Sequence, residues 1–144
     1  MIVVDTNVWS ETLRPEPASL VLSWLAAHAL DIYIPVTAVY ELRYGIQLLP
    51  TGRRRSALAA AVEQMLAGLR TRVLAYDFDA AQVHAELRAT TRKAGRVLSA
   101  EDGQIAAIAQ VAEASIATRN ISDFTGLGVK LINPWNTTAY HRDQ

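Results

Sequence analysis

A chain of 144 residues is sized for one domain, here residues 1–144, and can bury roughly 70% of the surface its unfolded form exposes, enough for a core without covalent staples. Its 14 basic and 14 acidic residues cancel, so no global field draws it to nucleic acid or an anionic membrane, and any such contact has to be local. The lack of cysteine excludes a disulfide framework, thiolate-ligated zinc and a thiol nucleophile and suits a reducing, cytoplasmic setting; with no basic region before the first apolar run and no apolar stretch near ~20 residues, we expect a soluble, unexported protein with no membrane span.

The chain opens on MIVVDTNVWSE, in which Ile2–Val4 reads as a buried strand that gives way to Asp5, Thr6 and Asn7. All three are good N-caps for a helix over 7–13, because a side-chain oxygen can accept a backbone N–H of the first turn. They are equally oxygen donors at a strand's carboxyl end. Pro15 and Pro17 precede a helix over 17–29, and Ile32–Val36 is the second strand. In the helix over 37–49, TAVYELRYGIQLL, the apolar stripe is Val39, Leu42, Ile46 and Leu49. Glu41 borders it, in a row with the small Ala38 and Gly45 that lets backbone or ligand come close. The alternative is a surface glutamate paired with Arg43 or Arg14.

Pro50 and Gly52 break the chain before a helix over 53–69, which starts on Arg53, Arg54 and Arg55. A strand at Arg72–Ala75 and a helix over 79–94 follow. The helix over 100–113, in SAEDGQIAAIAQVAE, places Asp102, Ile105, Ala106 and Ala109 at i, i+3, i+4 and i+7, so a carboxylate heads the apolar face. Asp102 is also the third helical residue after a Ser99 N-cap, where an acid suits the positive helix end, and Glu101 is the more solvent-facing neighbour. Next, SIATRNISDF carries the strand Ile116–Thr118 into Arg119, Asn120 and Asp123, and the last strand is Val129–Ile132.

Strands separated by helical crossovers pair in parallel, so the expected fold is α/β: a three-layer α/β/α sandwich around a mostly parallel sheet. In such sheets ligands bind beyond the carboxyl ends of the strands. That is where Asp5 and the Thr118–Asn120 segment lie, and the topology could bring Glu41 and Asp102 to the same crevice. Two carboxylates ~5 Å apart repel by about 3 kcal/mol at an effective dielectric near 20, so such a set needs protons, an Arg or a cation. Oxygen donors without cysteine, and only His28, His84 and His141 as imidazoles, select Mg²⁺ or Mn²⁺ over zinc. A hydrated hard cation is suited to phosphodiester hydrolysis.

In VVDTNVWSE, TAVYELRYGI, SAEDGQIAAIA, IATRNISDF and INPW, in this order and spacing, the chain resembles the PIN-domain nucleases, and within them the VapC and FitB-type toxins of bacterial toxin–antitoxin pairs. The resemblance spans nearly the whole sequence. It implies a homodimeric, metal-dependent endoribonuclease whose RNA substrate is cut by metal-activated water, neutralised by a cognate antitoxin that presents an Arg near the active site and supplies any contact with DNA. Asp5, Glu41 and Asp102 fall on the family's three acidic positions and would hold Mg²⁺ directly or through water, with Thr6, Asn7 and Thr118 in support. Many members carry an acid where this chain has Asn120, which leaves Asp123 or Asn120 for the fourth position.

Positive charge for RNA is expected from Arg14, Arg43, Arg53, Arg54, Arg55 and Arg119. The three arginines in TGRRRSAL sit at a helix start, an unfavourable place for cations that hints at a phosphate partner. Trp9, Tyr40, Tyr44 and Trp135 suit core packing or a dimer contact better than base stacking. The other readings are a nuclease or phosphatase acting on DNA, a receiver-type signalling domain and a catalytically silent PIN scaffold that binds a protein partner. The second wants paired acids after the first strand, where IVVDTN has one.

Overall fold

The computed structural model describes residues 1–136 and the backbone of a short strand at Tyr140–His141. The elements in chain order are β1 Ile2–Val4, α1 Thr6–Glu11, α2 Ser19–Ala27, β2 Ile32–Pro35, α3 Val36–Gln47, α4 Arg53–Leu69, β3 Val73–Leu74, α5 Phe78–Lys93, α6 Ala100–Val111, β4 Ser115–Ala117, α7 Ile121–Phe124, β5 Leu131–Ile132 and β6 Tyr140–His141. Five strands are parallel, in the order β3-β2-β1-β4-β5, and β6 adds antiparallel to the β5 edge.

The α/β sandwich with a mostly parallel sheet is therefore as expected, and its core follows from the period of two along each strand. Ile2 and Val4 of β1, Ala117 of β4 and Ile132 of β5 face one layer, where they meet Val8 and Trp9 of α1, Val21 of α2, Leu42 of α3 and Val62 of α4. Val3, Ile116 and Leu131, the alternating residues, face the opposite layer and pack on Ile105, Ala106 and Ala109 of α6 and Phe124 of α7. A strand buried on both faces must be apolar at every position, which is why IVV has no polar alternation. Trp9 is a core residue, 5% exposed, with its indole N–H donating to the Val4 carbonyl at 2.9 Å.

Most boundaries shift by one or two residues from the sequence reading, and three departures stand out. α2 begins at Ser19 rather than 17: Ala18 is its N-cap with extended backbone angles (φ −61°, ψ 122°), and the Ala18 N–H donates to the Glu11 carboxylate at 2.9 Å. β5 is only Leu131–Ile132, since Gly126 and Gly128 take left-handed φ of +82° and +74° and turn the chain just before Val129. The four-residue α7 in ISDF is too short to leave a periodic signal. Among the described residues no helix is long and apolar enough to cross a membrane.

Candidate functional site

The strand order places the site. From β1 the chain runs outward through β2 and β3 on one side, then returns to build β4 and β5 on the other, so the crossovers diverge between β1 and β4 and leave a crevice at their carboxyl ends. Val4 pairs with Ala117 in register, and the next residues, Asp5 and Thr118, stand at the mouth of that crevice.

Asp5 is 7% exposed and its carboxylate is held on both oxygens. Oδ1 accepts the Thr6 backbone N–H at 2.7 Å, which makes Asp5 the N-cap of α1. Oδ2 accepts the hydroxyl of the fully buried Thr118 at 2.8 Å and the Asn7 side-chain amide at 3.2 Å. Thr118 Oγ1 in turn accepts that amide at 3.3 Å and the Asn120 backbone N–H at 3.0 Å, and Asn7 Oδ1 accepts the Arg119 backbone N–H at 3.2 Å. The cap role and a place in the cleft thus coincide in one residue. Burial nevertheless pushes the Asp5 carboxyl above its ordinary value, against the hydrogen bonds of Thr118 and Thr6, and the charge of Asp123 adds to the rise.

Glu41 on α3 and Asp102 on α6 face the same cleft of about 440 Å³, whose other walls include Thr6, Asn7, Ser10, Glu11, Arg14, Glu101 and Asn120. Burial raises the Glu41 carboxyl, the nearby Thr6 hydroxyl offsets part of the rise, and the charges of Asp5, Glu101 and Asp102 add to it. The Asp102 carboxyl is likewise raised, first by burial and then, against Ser99, by the charges of Asp123, Asp5 and Glu101. Ser99 caps α6 by accepting the Asp102 backbone N–H at 3.1 Å, so the capping geometry weighed for Asp102 exists, and its carboxyl still feels the other acids.

Asn120 lines the cleft, whereas Asp123, exposed in the first turn of α7, lines an adjoining pocket together with Asp102. Arg14 borders the cleft but pairs with Glu11 at 3.3 Å. Among the described residues Glu41 has no such partner: Arg43, weighed as its pair, forms its ion pair with Glu63 on α4 instead. Nor do Arg53, Arg54 and Arg55 line the cleft, and Arg55 donates to Gln47 at 2.7 Å. The Arg119 guanidinium lies 5.0 Å from the centre of the Trp135 ring.

The sequence reading missed Glu11 and Glu101. Glu11 is 4% exposed, and its carboxyl is held below its usual value chiefly by the Ala18 N–H. The signal was the spacing of Glu11 one turn after Asn7 on a helix that starts at the site. Glu101 is exposed, as read, yet the exposed side of this turn is the cleft wall.

The donor set is all oxygen, and the Thr6 hydroxyl at the cleft wall is buried without a geometric hydrogen-bond partner among the described residues. By chemistry this fits a hard divalent cation. Among the described residues no three carboxylate or imidazole groups converge tightly enough to enclose an ion by themselves.

The chain matches the PIN domain family over residues 2–125. It is 40% identical over 137 residues to VapC ribonuclease Y4jK of Sinorhizobium fredii, covering 94% of this chain and 98% of that protein. It is 38% identical over 138 residues to toxin FitB of Neisseria gonorrhoeae, covering 94% and 99% respectively. A solved structure of FitAB bound to a DNA fragment superposes with a TM-score of 0.91 at 36% identity, covering 98% of this chain and all of the matched one.

Proposed function

The chain belongs to the PIN-domain family, and from that premise we propose that it is a Mg²⁺- or Mn²⁺-dependent endoribonuclease, the toxin of a toxin–antitoxin pair. The observation that carries this reading is the convergence of Asp5, Glu41 and Asp102 on one cleft, each with its carboxyl raised in part by the charge of other acids. Such a set stores repulsion that a cation relieves. The similarity to proteins named VapC ribonuclease and toxin FitB supplies the polymer and the biological role.

In this reading Asp5 is the fixed ligand, because Thr6, Asn7 and Thr118 hold both its oxygens in place. Glu41 and Asp102, less confined, take the metal directly or through water. A bound divalent ion would lower the pKa of a water and offset charge on the phosphodiester. One of these carboxylates would accept the proton of the attacking water. Asn120 or Asp123 assists from the α7 side.

The partner reading follows from the same charge. Five acids and one paired arginine around the cleft favour a cationic plug, and a guanidinium from a cognate antitoxin matches Glu41 or Asp102 bidentately. The similarity to FitAB supports an antitoxin partner, through which any contact with DNA would run. We also infer a homodimer in the cytoplasm. A catalytically silent scaffold is favoured by one observation, that Asn120 and not an acid lines the cleft at the fourth position. RNA cleavage by the purified protein with Mg²⁺ or Mn²⁺, lost in EDTA and in Asp5→Asn, separates the two; a fully active mutant or full activity in EDTA refutes the metal mechanism.

A further inference from the structure

The arginines that sequence reasoning assigned to RNA are largely engaged elsewhere: Arg14 with Glu11, Arg43 with Glu63, Arg55 with Gln47 and Arg119 with Trp135. Arg96, which it did not single out, is placed differently. Its guanidinium donates to the Thr125 carbonyl at 3.1 Å and packs on Gly126, where a Cβ would meet Nη2 at 2.8 Å. That anchorage occupies one of five N–H donors. Arg96 also lines a pocket of about 110 Å³ with Thr91, Ser122, Asp123 and Asp102. Asp102 also lines the acidic cleft, so the two cavities share a wall.

Size decides what the pocket takes. It falls far below the ~300 Å³ of small-molecule sites, which leaves room for a single oxyanion and none for a base. Asp102 and Asp123 oppose Arg96 in the pocket wall, and the support for an anion comes from the basic side chains beyond it. The stretch LRATTRKAGRV places Arg88, Arg92 and Lys93 exposed on the second half of α5, and none forms an ion pair with an acid among the described residues. Arg92 and Lys93 also suit the negative helix end. Arg96 has no such reason, because it lies beyond the helix, after Gly95 with a left-handed φ of +77°.

We propose that the Arg96 pocket binds the RNA phosphate adjacent to the one held at the Asp5–Glu41–Asp102 cleft, with Ser122 as a second donor and Arg88, Arg92 and Lys93 continuing the backbone track. The proposal rests on the ribonuclease reading for its choice of polymer. Arg14 then borders the acidic cleft and Arg96 the pocket that shares its Asp102 wall, and an RNA strand would run across both.

The test measures binding of a fluorescein-labelled single-stranded RNA to the full chain in EDTA, by anisotropy across a salt series, beside cleavage of the same RNA in Mg²⁺ or Mn²⁺. Arg96→Gln is expected to weaken binding about tenfold and to flatten the slope of log K against log salt by about 0.7. Arg96→Lys should restore the slope. Arg70→Gln, before β3 on the far edge of the sheet, removes the same charge and should leave the slope as in wild type. An Arg96→Gln protein with wild-type slope overturns the proposal, as does a loss that Arg96→Lys fails to rescue and that tracks a lower melting temperature, the signature of a residue that only ties down the Thr125–Gly126 turn. No RNA binding by wild type overturns it too. Wild type that binds with the Arg96-dependent slope but does not cleave removes the nuclease reading and keeps the subsite.

Discussion

Thr118→Val keeps the shape of a fully buried side chain and removes the hydroxyl on which the Asp5 network is built. The bond it donates to Asp5 Oδ2 at 2.8 Å is charge-assisted, and losing it costs about 1.5–3 kcal/mol. The bonds it accepts from Asn7 and the Asn120 N–H add less, because the Asn7 amide still reaches Asp5 and water can reach the Asn120 N–H in an exposed residue. A net loss of about 3 kcal/mol lowers the melting temperature of a domain this size by roughly 10 °C. The loss must also depend on pH. Burial already holds the Asp5 carboxyl above its unfolded value, and removing a hydrogen bond that lowers it raises it further. A raised carboxyl weakens the fold as pH climbs from the unfolded pKa through the folded one. The mutant should therefore lose most stability relative to wild type above the raised Asp5 pKa and least at acidic pH below it. Urea titrations at a series of pH values measure this difference. A destabilisation equal at all pH values would show that the hydroxyl does not support a charged Asp5.

Asp102→Asn drops one of the mutually repelling charges, so the metal-free mutant should melt above metal-free wild type near neutral pH and gain less from Mg²⁺, whose binding to wild type adds roughly 2.7 kcal/mol at a hundred times its dissociation constant. A lower metal-free melt would return Asp102 to a purely helix-capping role. Gly103→Ala puts a methyl group into the His84 imidazole, which Tyr76 fixes through a 2.9 Å bond to Nδ1, and should cost about 1–3 kcal/mol; chemical denaturation should show His84→Ala relieving most of it, and additive losses would refute the overlap. An antitoxin peptide whose Arg residues are replaced by Gln should lose both inhibition and competition with Mg²⁺, read by calorimetry; inhibition intact without Arg refutes the guanidinium plug.

Much of the fold could be read from the sequence because strand and helix carry distinct periods. The uninterrupted IVV calls for a cover on both faces and the i, i+3, i+4 stripe of AEDGQIAAIAQV for a partner layer, and both lie where the pattern placed them. Asp5 stood out as a polar break at the end of such a strand. Long-range pairing was less legible: nothing local says that Arg43 reaches Glu63 on α4, or that the exposed side of Glu101 is the cleft. Arg96 carried no signal in a basic run that a helix dipole explains almost completely. α7 and β6 are too short to show a period, and β5 is cut by two left-handed glycines whose conformation is a property of the turn.

The most direct test of the central claim is single-turnover cleavage of RNA by wild type and Asp5→Asn across a Mn²⁺ titration, with folding of the mutant checked by its melt. The account predicts metal-dependent cleavage by wild type, none without metal, and a loss of at least about a hundredfold in the mutant, equivalent to roughly 2.7 kcal/mol of barrier. Equal cleavage by both proteins, or cleavage indifferent to metal, would contradict it.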